Sequence, residues 1–313
     1  PRNHFVAAIQ KKGQVIGMKK AEILTPVVTA FDAKGNIDVT ANQKIYEYLI
    51  GKGIDGLVVM GSTGEFFSMT KEQKKQLIDV ACQYADETKV LIGTGGMVAD
   101  ETVELSNYAL AKGAHAVMIV SPYYFKFSQE TLETYYGNLA SQINGNIYIY
   151  NFPARTGYDV SPEVTLRLAR KHANIVGYKD TVTEMGHTRK LIDLLRPEFP
   201  DFVVLSGFEE FMAHNVISGG NGCIGGLSNV CPELFHGLAQ ALNEKKFDEI
   251  IKYQKIVDQA MELYEIGDPF IPILKEAMVQ KGILTNNWCT VPMPKVTADQ
   301  CEKVRVWLKK MPF

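Results

Sequence analysis

From Leu24 onward, short apolar runs and amphipathic stretches alternate along the chain with a regular beat. Leu24-Thr25-Pro26-Val27-Val28-Thr29-Ala30 is apolar and β-branched, which predicts a first strand. A turn over Asp32 to Gly35 leads into a helix from about Val39 to Ile50. Leu57-Val58-Val59-Met60 is a second strand, ending at the polar turn Gly61-Ser62-Thr63-Gly64-Glu65. Thr70 then caps a helix, with Gln73 in the capping-box position. Further apolar runs follow at Val90–Gly93, Ala116–Val120, Ile147–Tyr150, Ile175–Tyr178 and Phe202–Ser206, with a weaker eighth at Gly222-Cys223-Ile224. Helical patterns at about 128–142, 161–172, 186–196 and 208–218 fill the gaps, and another ends near Gly113.

Roughly eight strand–helix units in roughly 200 residues match the repeat of a (β/α)₈ barrel, an α/β fold of the TIM type. Short crossovers require parallel pairing. An open doubly wound sheet is the competing architecture, but no G-x-G-x-x-G follows the first strand. Beyond Gly226 the strand pattern stops, and helices are expected at about 232–243, 246–264, 269–281 and 297–309. We therefore expect a barrel core over residues 18–230. Residues 231–313 would supply the last barrel helix and a C-terminal helical extension of the same compact unit. Residues 1–17 carry charge and lack a signal-peptide core, and Met18 follows them. The expectation is that Met18 is the natural start and the residues before it are an expression leader, with a native, partly disordered extension as the alternative.

Composition narrows the function classes. A net charge of -2 gives no basic field for nucleic acid or an anionic membrane, and no apolar run reaches membrane-spanning length. The five cysteines are scattered and form no CxxC pair, which fits neither a disulfide framework nor a zinc site. A reducing compartment, the cytoplasm, is the expectation.

In a barrel of this kind the chemistry sits where the strands end. Here those ends carry hydroxyls and one lysine: Gly61-Ser62-Thr63-Gly64-Glu65, Ser121-Pro122-Tyr123-Tyr124, Tyr150-Asn151, Lys179-Asp180 and Ser206-Gly207. They contain no carboxylate or histidine set with metal-ligand spacing, so no metal is expected. Lys179 closes the apolar run Ile175-Val176-Gly177-Tyr178. An ammonium is costly to bury there, and its neutral form is a nucleophile toward carbonyl carbon. A lysine that snorkels to water or pairs with Asp180 is the alternative. Tyr150 closes the neighbouring strand about 4.8 Å away, within reach of Lys179. Its phenol, with an unperturbed pKa of about 10, would need a relay through other hydroxyls, for which Ser62 and Tyr124 are candidates. Gly61-Ser62-Thr63-Gly64 offers backbone N–H groups to an anion. The glycines from Gly219 to Gly226 suit either a phosphate or close backbone packing.

The four motifs Gly61-Ser62-Thr63-Gly64-Glu65, Ser121-Pro122-Tyr123-Tyr124, Tyr150-Asn151-Phe152-Pro153-Ala154-Arg155-Thr156-Gly157 and Gly177-Tyr178-Lys179-Asp180-Thr181 occur in that order. The chain thereby resembles the dihydrodipicolinate synthase / N-acetylneuraminate lyase family of pyruvate-dependent class I aldolases, from about Leu24 to its end. The resemblance implies a (β/α)₈ barrel, usually a homotetramer built as a dimer of dimers. It implies a Schiff base between Lys179 and pyruvate or another 2-keto acid, with Ser62, Thr63 and Gly61 at the keto-acid carboxylate. Tyr150 would carry the proton and take it from the C4 hydroxyl in cleavage. Tyr124 would serve a neighbouring subunit's relay, and Ser206, Gly207 and Ile224 would line the substrate site. No cofactor is implied, because the protonated imine is itself the electron sink.

Arg155 matches the arginine that synthase members use for the carboxylate of aspartate semialdehyde. Ser62 and the run Tyr124-Phe125-Lys126-Phe127-Ser128 depart from the synthase pattern. Tyr150-Asn151-Phe152-Pro153 with Lys179-Asp180-Thr181 is more similar to 2-keto-3-deoxy sugar-acid aldolases, and Gly61 to Glu65 to neuraminate lyases. The expectation is an aldolase that cleaves a 2-keto-3-deoxy acid to pyruvate and an aldehyde. The synthase and N-acetylneuraminate lyase are the alternatives. A phosphate-binding barrel isomerase and a non-catalytic keto-acid sensor lie outside the class.

Overall fold

Each apolar run is separated from the next by a helix, so successive strands can pair only in parallel. The computed structural model, which describes residues 18–312, shows the result: eight parallel strands in sequence order, closed into a barrel. The strands are β1 (Glu22–Pro26), β2 (Gly56–Val59), β3 (Lys89–Gly93), β4 (Ala116–Val120), β5 (Ile147–Asn151), β6 (Ile175–Asp180), β7 (Val203–Ser206) and β8 (Gly222–Ile224). Outside them run α1 (Val39–Gly51), α2 (Lys71–Ala81), α3 (Ala99–Ala111), α4 (Gln129–Ala140), α5 (Pro153–Thr156), α6 (Pro162–Lys171), α7 (Met185–Leu195), α8 (Met212–Ile217) and α9 (Pro232–Asn243). Helices α10 (Phe247–Ala260), α11 (Glu262–Glu265), α12 (Ile271–Gln280) and α13 (Ala298–Lys310) complete the C-terminal part. The expectation for residues 1–17 lies outside the described residues.

Strands with both faces covered read as continuous Val/Ile/Leu runs, and β4 is buried at all five positions. Closure joins β1 to β8, with Glu22 opposite Gly222. Gly222 has φ of +123°, and a Cβ there would strike the Glu22 backbone, so only glycine permits the last seam. The Thr70–Gln73 capping box forms at the start of α2. Buried residues of the C-terminal helices, among them Val257, Leu263, Leu274 and Met278, join the same apolar cluster as the barrel strands. Full burial of such a side chain is worth about 1.5–3 kcal/mol.

Four elements differ from the expectation, one of them the helix expected over 246–264, which divides into α10 and α11. The first strand covers Glu22–Pro26 rather than running on to Ala30. Beyond Pro26 the chain leaves the regular ladder, and the Val28 and Ala30 N–H groups are taken by the side chains of Asn229 and Asn42. The helix expected over 208–218 is a 3₁₀ turn at Glu209–Phe211 followed by α8, because the Glu209 side chain turns inward to accept from the Leu227 N–H. The short α5, unread in the sequence, starts on Pro153 and stops at left-handed Gly157.

Candidate active site

Alternation along β6 decides which side chains reach the barrel interior. Gly177 and Lys179 share the inward face, and Tyr178 and Asp180 point outward. Tyr178 donates its hydroxyl to Val160 O at 2.6 Å in the helical layer. Asp180 accepts from Thr188 Oγ1 at 2.6 Å and Asn151 Nδ2 at 3.0 Å and pairs with His187 Nδ1 at 2.9 Å. Asp180 is thus fully engaged behind the barrel and is not the partner of Lys179. Burial pulls the His187 imidazolium down, but the hydrogen bond and charge of Asp180 outweigh it and hold the group above its ordinary value.

The β5–β6 ladder sets Tyr150 opposite Lys179. Lys179 is 4% exposed, and its Nζ lies 4.2 Å from the centroid of the Tyr150 ring. Below them, Gly177 leaves room for the Tyr148 ring, which a Cβ would strike. The Tyr150 hydroxyl shares a 3.3 Å hydrogen bond with Ser62 Oγ, so amine, phenol and serine hydroxyl form one group across β2, β5 and β6.

Above this group opens a cavity of about 750 Å³. Its wall includes Ser62, Thr63, Tyr150, Arg155, Lys179, Gly207 and Ile224, all read as candidates in the sequence. Gly61 lies beneath, in a small pocket that shares Tyr150. Two candidates are not brought to the wall. The Ser206 hydroxyl is turned to the backbone, donating to Phe208 O at 3.2 Å and Gly222 O at 3.3 Å. Tyr124 is 82% exposed and packs edge-on against Phe125, outside its own cavity.

The glycines after β7 and β8 are explained by packing. Leu227 N–H, which a phosphate would need, already donates to Glu209 Oε1 at 2.6 Å. The Tyr264 hydroxyl donates to the same oxygen at 2.6 Å. Burial pushes the Glu209 carboxyl above the usual carboxylate range, while those two bonds and the nearby Lys179 pull it back.

Several wall residues escaped the sequence reading. Thr181 lines the cavity, is 3% exposed, and its hydroxyl has no partner among the described residues. The signal was present: two positions beyond Lys179, Thr181 shares its face. Glu210 also lines the cavity. Met261, Tyr264, Phe270 and Met293 from the C-terminal part form the roof, and no local pattern marks them. Among the described residues, no three His, Cys, Asp or Glu side chains gather as a metal site.

A family model, the dihydrodipicolinate synthetase family, matches residues 19–311. The chain belongs to the dihydrodipicolinate synthetase family. It is a pyruvate-dependent class I lyase. The Escherichia coli K12 protein described as "Probable 2-dehydro-3-deoxy-D-pentonate aldolase YjhH" is 34% identical over 293 residues, covering 93% of this chain and 97% of that one. The 4-hydroxy-tetrahydrodipicolinate synthase of Kosmotoga olearia is 39% identical over 208 residues, 66% of this chain and 70% of that one. Among solved structures, that of the family member YagE from E. coli K12, in complex with pyruvate, superposes with a TM-score of 0.90 at 32% identity, covering 93% of this chain and 98% of that one.

Proposed function

We propose that this family member is a Schiff-base aldolase that reversibly cleaves a 2-keto-3-deoxy acid to pyruvate and an aldehyde. The observation that carries it is the Lys179 amine, buried and 4.2 Å from the Tyr150 ring, beside a phenol–serine hydrogen bond at the foot of a large cavity. In its neutral form Lys179 Nζ attacks the C2 carbonyl. Water leaves and a protonated imine forms. Tyr150, relayed through Ser62, takes the C4 hydroxyl proton, and the C3–C4 bond electrons move into the imine. The aldehyde departs, the enamine is reprotonated at C3, and hydrolysis returns pyruvate and the free lysine. No cofactor enters, since the imine accepts the electrons.

Ser62, Thr63 and Gly61 seat the keto-acid carboxylate through the turn at the end of β2, supported by the position of that turn at the cavity foot. The cavity falls within the roughly 300–1,000 Å³ of ligand sites, more than a three-carbon keto acid needs. Its upper wall, with Thr183, Glu210, Arg155 and the unpartnered Thr181 hydroxyl, suits a hydroxylated tail. Gly207 and Ile224 close the side of the site by shape. The 34% identity to a protein described as a 2-dehydro-3-deoxy acid aldolase supports the same substrate class.

Synthase activity is the second reading, favoured by Arg155 at the cavity wall and by the match to the Kosmotoga enzyme. We further propose a homotetramer in which Tyr124, exposed at 82%, serves a neighbouring subunit. A cytoplasmic location is supported by five free thiols. No helix among the described residues is long and apolar enough to cross a membrane. Borohydride reduction in the presence of pyruvate tests the proposal. A mass gain on Lys179, absent in Lys179→Ala, is expected, and no adduct would overturn it. Pyruvate release across a panel of 2-keto-3-deoxy acids, beside a coupled assay with pyruvate and aspartate semialdehyde, separates the two readings.

A further inference from the structure

The turn that bears Ser62 and Thr63 ends on Glu65, whose side chain the mechanism does not use. Glu65 is fully buried and lies in the left-handed region, φ 61° and ψ 33°. That conformation is uncommon and strained for a residue with a side chain. Here both carboxylate oxygens are engaged by the C-terminal part of the chain. Oε1 pairs with Lys275 Nζ on α12 at 2.5 Å. Oε2 accepts from Thr290 N at 2.7 Å and Thr290 Oγ1 at 2.8 Å. Lys275, 1% exposed, also donates to Trp288 O at 2.7 Å and sits 4.8 Å over the Phe31 ring.

These bonds join two parts of the cavity that are more than 200 residues apart in sequence. One is the turn at its foot. The other is the 288–293 segment, whose Met293 lines the roof and donates its N–H to Thr290 O at 2.9 Å. Phe270 and Ile271, one turn before Lys275, line the same roof. We propose that the Glu65–Lys275 pair is a clamp that fixes the carboxylate-binding turn and the roof as one unit, making Glu65 and Lys275 positioning residues for 2-keto acid binding. Without it the left-handed turn relaxes, the Ser62 and Thr63 groups lose their aim, and the roof segment is released in the same event. A buried charge deprived of its partner is strongly destabilising where it stands, so either single substitution drives this opening.

The keto-acid part of this inference rests on the aldolase reading, and two measurements keep them separate. The first is the pyruvate concentration giving half-maximal borohydride-trapped adduct on Lys179. In Glu65→Gln and Lys275→Met it should rise at least ten-fold, with the maximal adduct unchanged. The second is amide exchange, which needs no substrate. Lys275→Met should speed exchange in the 61–69 and 288–293 peptides together. A purely structural pair would lower Tm without moving the trapping midpoint of the folded protein. Midpoints within two-fold of the parent, or faster exchange confined to α12, would overturn the clamp. If the parent itself forms no adduct, the aldolase reading fails and exchange alone decides the clamp. If a single variant does not fold, the double variant Glu65→Gln/Lys275→Met, which removes both charges, is read by the same two criteria.

Discussion

Tyr150→Phe isolates the proposed chemistry from the packing around it. The substitution removes one oxygen from a side chain that is 3% exposed and leaves the ring in place under Lys179. The single hydrogen bond lost is the 3.3 Å contact with Ser62 Oγ, long for two hydroxyls. Such a bond is worth about 0.5–1.5 kcal/mol net, and Ser62 stays on the cavity wall where water can replace it. Tm should therefore fall by no more than about 2–4 °C. The loss of a positioned proton carrier is far larger, a factor of about 10²–10⁴ in rate, or roughly 2.7–5.5 kcal/mol on the barrier. The assay is pyruvate release from a 2-keto-3-deoxy acid, with the borohydride midpoint for pyruvate measured beside it. Turnover should collapse while the midpoint moves less than about three-fold, since carboxylate seating does not use the phenol. A turnover number within two-fold of the parent would refute the role given to Tyr150. An equal loss in both measurements would show that the phenol positions the substrate and does not carry its proton.

Thr181→Val replaces a buried hydroxyl that has no partner among the described residues with a methyl group of similar size. We expect stability unchanged or raised by up to about 1–3 kcal/mol of relieved desolvation, with kcat/KM for the keto-deoxy acid reduced at least ten-fold and pyruvate trapping intact. A clear fall in Tm would show that the hydroxyl is satisfied. His187 sits above its ordinary value, facing Asp180 and Asp159. Its stabilising contribution is therefore present in full below about pH 6.5 and is lost as pH rises through the folded-state value. His187→Asn should flatten the decline of Tm above that pH, and an unchanged profile would contradict the pairing. Arg155→Ala, at an exposed position beside the Phe152 ring, should leave stability within about 0.5 kcal/mol of the parent. It should impair condensation with aspartate semialdehyde much more than cleavage of keto-deoxy acids; equal effects on both would remove its assigned discrimination.

What the sequence disclosed follows from distance along the chain. Period-two alternation and the strand–helix beat are local, so the barrel, the mouth positions that carry Ser62, Tyr150 and Lys179 and the facing of Tyr150 with Lys179 were legible. Thr181 is legible by the same alternation, two positions beyond Lys179. Pro26 held the clue that the first strand ends early, although one of the two asparagines that take the N–H groups of Val28 and Ala30, Asn229, lies 201 residues from Val28. The inward turn of Glu209 depends on Tyr264 and Leu227, neither of which a window around residue 209 contains. The roof residues and the burial of Glu65 against Lys275 are likewise products of folding. Lysine and glutamate usually read as surface, and here both are enclosed.

The roof has a consequence for how the protein comes into being. Synthesis proceeds from the N-terminus, so Lys179, Tyr150 and Ser62 leave the ribosome long before Met293, which lines the cavity they share. A nascent chain carrying all eight strands would hold its amine and phenol beneath an open mouth, with Glu65 awaiting a counter-ion still in the exit tunnel. The cavity is thus complete only once the segment from Met261 to Met293 has joined the barrel, and a polypeptide released before it would lack that wall however well its strands had assembled.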